Sequence, residues 1–126
     1  MSSIAEIKAH YNFTSGDADN LVKLRAVMQR RADEFVAEFY NHVKHFTDAD
    51  KFLKDEATVK KHQDALKLWF VGLFSGDYGE RYFAELEKVG AAHVKIDLPA
   101  HYVNASFHFV RQYAAGVIHK EVIASD

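Results

Sequence analysis

The sequence contains no cysteine, which excludes disulfide bonds and thiolate chemistry within its 126 residues. One proline and six glycines disfavour a fold built from many tight turns. The longest apolar run, LWFVGLF at 68–74, is much shorter than a membrane span requires. The N-terminal segment also lacks the continuous apolar stretch of a secretory signal. We therefore expect a cytoplasmic protein with no membrane partner.

Charge of neither sign dominates the sequence. Sixteen basic and eighteen acidic residues give a formal net charge of -2 with histidine neutral. This balance offers no basic surface of the kind that nucleic-acid binding requires. Hydrophobic residues make up 48% of the chain and aromatics 13%, which is enough for one core. We predict a single domain over residues 1–126, without a nucleic-acid partner.

Apolar residues recur at helical spacing along most of the chain, and no useful stretch alternates with period two. The pattern therefore predicts an all-α fold. We expect a turn at 13–20, with Ser15, Asp17 and Asp19 as candidate helix caps, and short capped pieces at 46–55 that start at Thr47, Asp48 and Asp55. The expected helices are a pair between 21 and 45 that breaks near 29–33, one at about 56–74, one at about 80–95, and a last one that Pro99 starts.

The eight histidines fall into three groups. Four have polar neighbours and are expected to face solvent: His10, His45, His101 and His119. His42 and His108 adjoin apolar stripes and are expected to be half-buried. His62 and His93 differ because each takes an apolar position on a stripe that should face the core.

Burying a polar ring costs about 1–3 kcal/mol when it has no partner. For one such histidine, a hydrogen-bonded core residue is the ordinary interpretation. Two of them on separate helices, with Tyr40 on a third stripe, favour a shared centre. Zinc needs four protein ligands, or three and a water, and the chain offers neither cysteine nor an HExxH helix. A flat apolar cofactor whose iron needs one or two imidazoles fits better.

Four stretches together resemble the globin-coupled sensors, a family of haem-binding sensor globins. The resemblance covers nearly the whole chain from about residue 18, and its last stretch is the most specific because histidine, polar step and proline follow in family order. The stretches are EFYNHV at 38–43, ADKFLKDE at 49–56, LKLWFVGLFSGDY at 66–78 and VGAAHVKIDLPAHYVNASFHFVR at 89–111.

This resemblance implies a modified globin fold that holds haem b between the 56–74 helix and the helix bearing His93. It implies that His93 is the proximal iron ligand and that Tyr40 is a distal hydrogen-bond donor. His62 would lie on the distal side, either as a sixth iron ligand or as a second donor or gate. Further contacts with the cofactor are expected from Phe39, Leu66, Trp69, Phe70 and Val89.

The resemblance also implies a function: binding of O₂, CO or NO as the sensory input of a signalling protein, not catalysis. Family members continue beyond the proline-started helix into another long helix and then an output module. We expect both to be absent from this chain, and we interpret residues 1–17 as an N-terminal extension. We expect a homodimer, since uncovered apolar surface favours self-association.

Two other functions remain open at the level of sequence. A haem enzyme with peroxidase-like or NO-consuming activity would use His62 as its acid–base group. No arginine accompanies His62 on its helix face, which disfavours this hypothesis. The other alternative is a helical interaction domain without haem.

Overall fold

The computed structural model describes residues 3–47 and 49–123, and every regular element in those ranges is helical. The predicted all-α fold is therefore confirmed. None of the described helices is long and apolar enough to cross a bilayer. In chain order the helices are α1 (Ile4–His10), α2 (Ser15–Lys23), α3 (Arg25–Arg30), α4 (Ala32–Val43), α5 (Ala49–Phe52), α6 (Glu56–Gly72), α7 (Glu80–Lys95) and α8 (Ala100–Ile118), and a π-helical turn at His119–Ile123 follows α8.

The core lies where α4 packs against both α6 and α8, with α3 beside them. Phe35 of α4 and Phe70 of α6 are fully buried, and their rings stack with centroids 4.0 Å apart. Tyr113 of α8 meets the Phe35 ring edge-on at 5.4 Å. Burying two such rings contributes about 2 kcal/mol or more each, which makes this stack the anchor of the three-helix core.

The predicted turn at 13–20 is wrong beyond Thr14, because α2 begins at Ser15. Thr14 and Asp17 form a capping box: the Asp17 N–H donates to the Thr14 hydroxyl, and the Thr14 N–H donates to the Asp17 carboxylate at 2.9 Å. Because these bonds satisfy the first free N–H groups, the helix accepts Gly16 in its first turn. The predicted caps Ser15, Asp17 and Asp19 all lie inside α2.

The helices between 21 and 45 break where expected and once more. The break at Arg31 confirms the predicted one, and a second break at Leu24 separates α2 from α3. Asp55 caps α6 as predicted, accepting the Thr58 N–H at 2.7 Å. Thr47 precedes α5, and Asp48 lies outside the described residues.

The end of α7 fixes the position of His93. The Leu98 N–H donates to the His93 carbonyl at 3.1 Å and the Asp97 N–H to the Val94 carbonyl at 3.0 Å, which is a Schellman motif. Asp97 takes the left-handed conformation at φ 56°. Pro99 is the N-cap of α8, one residue before the helical start predicted for it.

The apolar stripe that carries His93 was predicted to face the core, and this prediction is wrong at Val89 and Ile96. Val89 is 41% exposed and Ile96 is 49% exposed, and no residue of α7 is buried. The physical reason is that α7 lies beside the packed α4, α6 and α8 and not among them. The face that carries His93 therefore has apolar surface that residues 3–47 and 49–123 leave uncovered.

Candidate functional site

Tyr40 and His62 form a hydrogen-bonded pair between α4 and α6. The Tyr40 hydroxyl bonds to Nδ1 of His62, and it also donates to the Val59 carbonyl at 3.4 Å. The two rings meet edge-on, with centroids 5.5 Å apart. Burial raises the pKa of Tyr40 to about 12, so the phenol keeps its proton at neutral pH. The pair thus holds one phenol O–H and one imidazole at a fixed mutual position.

His93 affects the pKa of His62 electrostatically, although the two residues lie on separate helices. Burial lowers the pKa of His62, and repulsion from a charged His93 lowers it further. Burial alone lowers the pKa of His93. Both imidazoles are therefore biased toward the neutral form, which is the form that binds metal ions. His93 of α7 is thus near enough to His62 of α6 to affect its pKa, and the proximal and distal roles of these residues stay predictions.

Phe39 and Leu66 are buried core residues on the two helices that carry Tyr40 and His62. Phe39 is 7% exposed, and its ring centroid lies 6.5 Å from that of His62 and 6.3 Å from that of Tyr40. Leu66 follows His62 by one turn of α6 and is also buried. These two side chains therefore place apolar surface next to the Tyr40–His62 pair.

The other predicted cofactor contacts have different surroundings. Phe70 stacks on Phe35 in the core, and Trp69 is half-buried, edge-on to Phe107 of α8 at 6.1 Å. Val89 lies on the exposed face of α7, one turn before His93. The contacts of all three residues with a cofactor stay predictions.

Sequence analysis did not find the Val59 carbonyl as a partner of Tyr40. A backbone acceptor one turn before His62 has no signal in side-chain pattern, because any residue type can supply it.

The remaining histidines follow the predictions with one exception. The four expected at the surface are exposed, and His42 is half-buried, stacked on Phe109 at 4.9 Å. His108 is exposed, so its predicted half-burial is wrong; the adjacent Phe109 turns inward in its place. Across residues 3–47 and 49–123, no three His, Cys, Asp or Glu side chains cluster closely enough to hold a metal ion. The donor groups at the candidate site are the imidazoles of His62 and His93 and the phenol of Tyr40.

Comparison with known proteins agrees with this architecture. The Protoglobin family model matches residues 1–124. The solved globin domain of a Geobacter sulfurreducens globin-coupled sensor shares 36% identity and a TM-score of 0.89, covering 96% of this chain and 80% of that one. The predicted globin fold is thereby confirmed.

A curated relative is the heme-based aerotactic transducer HemAT of Halobacterium salinarum, 29% identical over 93 residues. These residues are 71% of this chain and 19% of the transducer, so the chain spans about a fifth of that relative's length. The resemblance to the globin-coupled sensors is confirmed by both likenesses. Since the family model covers nearly all of its residues, the chain belongs to the Protoglobin family.

Proposed function

We propose that this chain is a haem-based gas-sensing input domain that binds O₂, CO or NO reversibly at haem b. The observation that carries the proposal is the Tyr40–His62 pair, whose histidine is affected electrostatically by His93 of a separate helix. The printed descriptions of the two relatives support it, since one is a heme-based transducer and the other a sensor's globin domain.

His93 and the apolar residues on its helix face fit a porphyrin. His93 offers a neutral imidazole near the end of α7, as an axial ligand requires. On the same helix face, Val89 and Ile96 leave apolar surface uncovered by the protein. A flat apolar ring would cover that surface, and each Å² buried would contribute about 25 cal/mol. The donor set and the uncovered α7 face therefore favour haem over a metal ion held by side chains alone.

His93 and Tyr40 would have different roles toward the bound group. Haem, when bound, supplies a ferrous iron that takes up a diatomic gas reversibly. His93 holds the group from the α7 side, and the Schellman bonds after it fix the helix end that carries its ring. Tyr40 keeps its proton, and its O–H would leave the long 3.4 Å bond to the Val59 carbonyl to donate to a polar gas ligand. Such a bond is worth about 1.5–3 kcal/mol to a charged acceptor, which favours O₂ over CO.

His62 has two roles that its geometry permits. With Nδ1 engaged by Tyr40, its Nε2 is the nitrogen left to act. When Nδ1 accepts the Tyr40 hydroxyl, the Nε2–H is a donor for the gas ligand; when Nδ1 carries the proton, the free Nε2 would instead be a sixth ligand that competes with gas. Replacing His62 by Leu separates these roles, because only loss of a sixth ligand changes a six-coordinate ferric spectrum to a high-spin one.

Substitutions at His93 and at Tyr40 test the proposal. His93→Gly should lose stable haem, and added imidazole should restore the ferrous–CO spectrum; His101→Gly at an exposed histidine is the matched control. Tyr40→Phe should speed O₂ dissociation about tenfold or more and CO dissociation much less. Normal haem retention in His93→Gly, or equal effects on both gases in Tyr40→Phe, would contradict the assignments.

We further propose that the domain passes gas binding to a signalling output domain, that it works as a cytoplasmic homodimer, and that its task is sensing and not catalysis. The transducer relative supports the first point, because the chain matches a fifth of a longer signalling protein. Leu68 is 76% exposed and Phe107 46% exposed, which supplies apolar surface for self-association. Size-exclusion chromatography with light scattering tests the dimer.

A further inference from the structure

A row of aromatic rings joins His42 to the Tyr40–His62 pair. The His42 imidazole lies flat on the Phe109 ring of α8, with centroids 4.9 Å apart and 14° between the planes. Phe109 meets Phe39 of α4 edge-on at 6.0 Å. Phe39 in turn lies 6.3 Å from the Tyr40 ring and 6.5 Å from the His62 ring. We call Phe109 and Phe39 the aromatic bridge, because they connect His42 to the pair by ring contacts alone.

The aromatic bridge has little room to adjust. Phe39 is 7% exposed, and the fully buried Phe35 lies against both bridge rings, 5.8 Å from Phe39 and 6.2 Å from Phe109. Rings packed at the density of a protein interior do not move independently, since no empty space takes up a displacement. A change at the His42 end should therefore reach the other end of the bridge.

The surroundings of His42 disfavour a proton on its ring. Its Nε2 is buried and has no hydrogen-bond partner in the described part of the chain, so the charged ring would hold an N–H without an acceptor. His45, just after α4, and His108 of α8 both repel a positive charge there. No carboxylate forms an ion pair with His42 within residues 3–47 and 49–123.

The charged ring would therefore gain by moving. Water supplies the acceptor that the apolar bridge lacks, so protonated His42 should leave the face of Phe109 and turn toward solvent. Attraction between the imidazolium and the Phe109 ring opposes this movement, but it does not give the buried N–H an acceptor. Phe109 would then lose the ring that is stacked on it.

We propose that His42 is a positioning residue for the Tyr40–His62 pair and that its protonation makes oxygen release faster. This inference rests on the proposed function. Its reason is that Phe39 lies against both rings of the pair. Once Phe109 loses its stacked partner, Phe39 gains room, and the Tyr40 hydroxyl is held less closely for a bound gas. Oxygen binding would then weaken as the pH falls through the range in which His42 titrates.

The first experiment measures O₂ and CO dissociation from the ferrous haem-bound chain between pH 5.5 and 8. O₂ dissociation should be about threefold faster at pH 5.5, a part of the tenfold or more expected when the Tyr40 donor is removed. CO dissociation should change much less. His42→Phe keeps a ring on Phe109 but takes up no proton, so it should keep the parent rate at pH 8 and lose the pH dependence.

Two exposed histidines supply further variants that leave the aromatic bridge intact. His108→Gln removes a repelling charge, so it should move the midpoint of the pH dependence to higher pH without changing its size. His10→Gln removes an exposed histidine of α1 and should behave as the parent. The shift in His108→Gln tests the assignment to His42 even if His42→Phe does not fold.

A second measurement needs no haem. It uses NMR titration of the haem-free chain with His62→Leu, which removes the other histidine beside Phe39. The ring resonances of Phe109 and Phe39 should shift with the midpoint of His42, which lies below pH 6.5. These shifts should be absent when His42→Phe is added.

Several outcomes would overturn the inference and leave the proposed function standing. They are O₂ release that does not change with pH in the parent, a pH dependence that persists in His42→Phe, an unchanged midpoint in His108→Gln, and a Phe39 ring that stays unshifted while His42 titrates. Failure of the parent chain to take up haem would overturn the proposed function and, with it, the role of His42 in gas release.

Discussion

The imidazole rings of His42, His62 and His93 are partly buried. Burial is the main cause that lowers the pKa of each. His42 is lowered further by repulsion from charged His45 and His108, and its Nε2 is buried without a hydrogen-bond partner in the described part of the chain. The haem-free protein therefore resists protonation at three histidines that would accept protons freely when unfolded.

This resistance predicts a pH dependence of stability for the haem-free chain. Above the ordinary histidine pKa of 6.5, all three rings are neutral in both states and contribute no slope. As the pH falls below 6.5, the unfolded chain binds protons that the folded chain rejects, so the free energy of unfolding falls. Each histidine adds at most about 1.4 kcal/mol per pH unit.

Urea unfolding of the haem-free chain measures this slope. We expect a lower midpoint at pH 5.5 than at pH 7.5, and no further change between pH 7.5 and 8.5 from these groups. His42→Leu should flatten the slope in the acid window, because it removes one of the three rings. A midpoint that rises on acidification to pH 5.5 would contradict the prediction. The lowered pKa values of Glu34 and Asp55 also make stability fall on acidification, but mainly below the ordinary carboxyl pKa and so beneath this window.

At the scale of elements, the loop after α6 depends on one glycine. Gly76 has φ +85°, and a Cβ there would lie 2.4 Å from Cγ2 of Val22 on α2. No side chain tolerates both the left-handed backbone and that contact. The loop between α6 and α7 is thus matched to α2, although about fifty residues separate them in sequence.

We predict that Gly76→Ala destabilises the chain by about 2 kcal/mol, from strain and overpacking together. Adding Val22→Ala should recover about half, because it removes the clash and leaves the strained φ. Gly116→Ala is the matched control: a Cβ at Gly116 meets nothing within 4 Å inside α8, so it should stabilise by about 0.5–1 kcal/mol. Urea unfolding of these three variants and of Val22→Ala alone measures these differences. Equal effects of Gly76→Ala with and without Val22→Ala would contradict the contact.

The sequence predicted the long elements better than the short ones. Residues 80–95 were predicted as a helix and form α7 over the same range, because sixteen residues give several turns of periodic signal. α1 and α2 were not predicted. Each has fewer than ten residues and no buried side chain, so its apolar pattern is weak. The signal for α2 was its capping box and not its periodicity.

For the site, periodicity placed Tyr40, His62 and His93 on helix faces but gave no distance between helices. The Tyr40–His62 bond joins residues 22 apart and depends on how α4 packs on α6. The exposure of Val89 and Ile96 was missed for a related reason. An apolar stripe predicts that something covers a helix face, and it does not distinguish a neighbouring helix from a cofactor.

The molecule has one part that buries large side chains and another that buries none; we call them the firm part and the loosely held part. The firm part is the α4–α6–α8 core, which contains the fully buried Phe35 and Phe70. The loosely held part is α7, which buries no side chain but carries His93. Local opening costs least where few apolar contacts are buried, so α7 should open before the core does. Haem bound to His93 and covering Val89 and Ile96 would supply the contacts that α7 lacks.

Hydrogen exchange followed by mass spectrometry tests this division. In the haem-free chain, amides of α7 should exchange at least about tenfold faster than those of α6, a helix of nearly equal length that contributes Leu66 and Phe70 to the core. Haem should slow exchange in α7 much more than in α6, and His93→Gly should abolish that protection while leaving α6 unchanged. Equal protection of the two helices without haem would show that α7 is held by the protein alone. The uncovered face around His93 would then no longer support a cofactor.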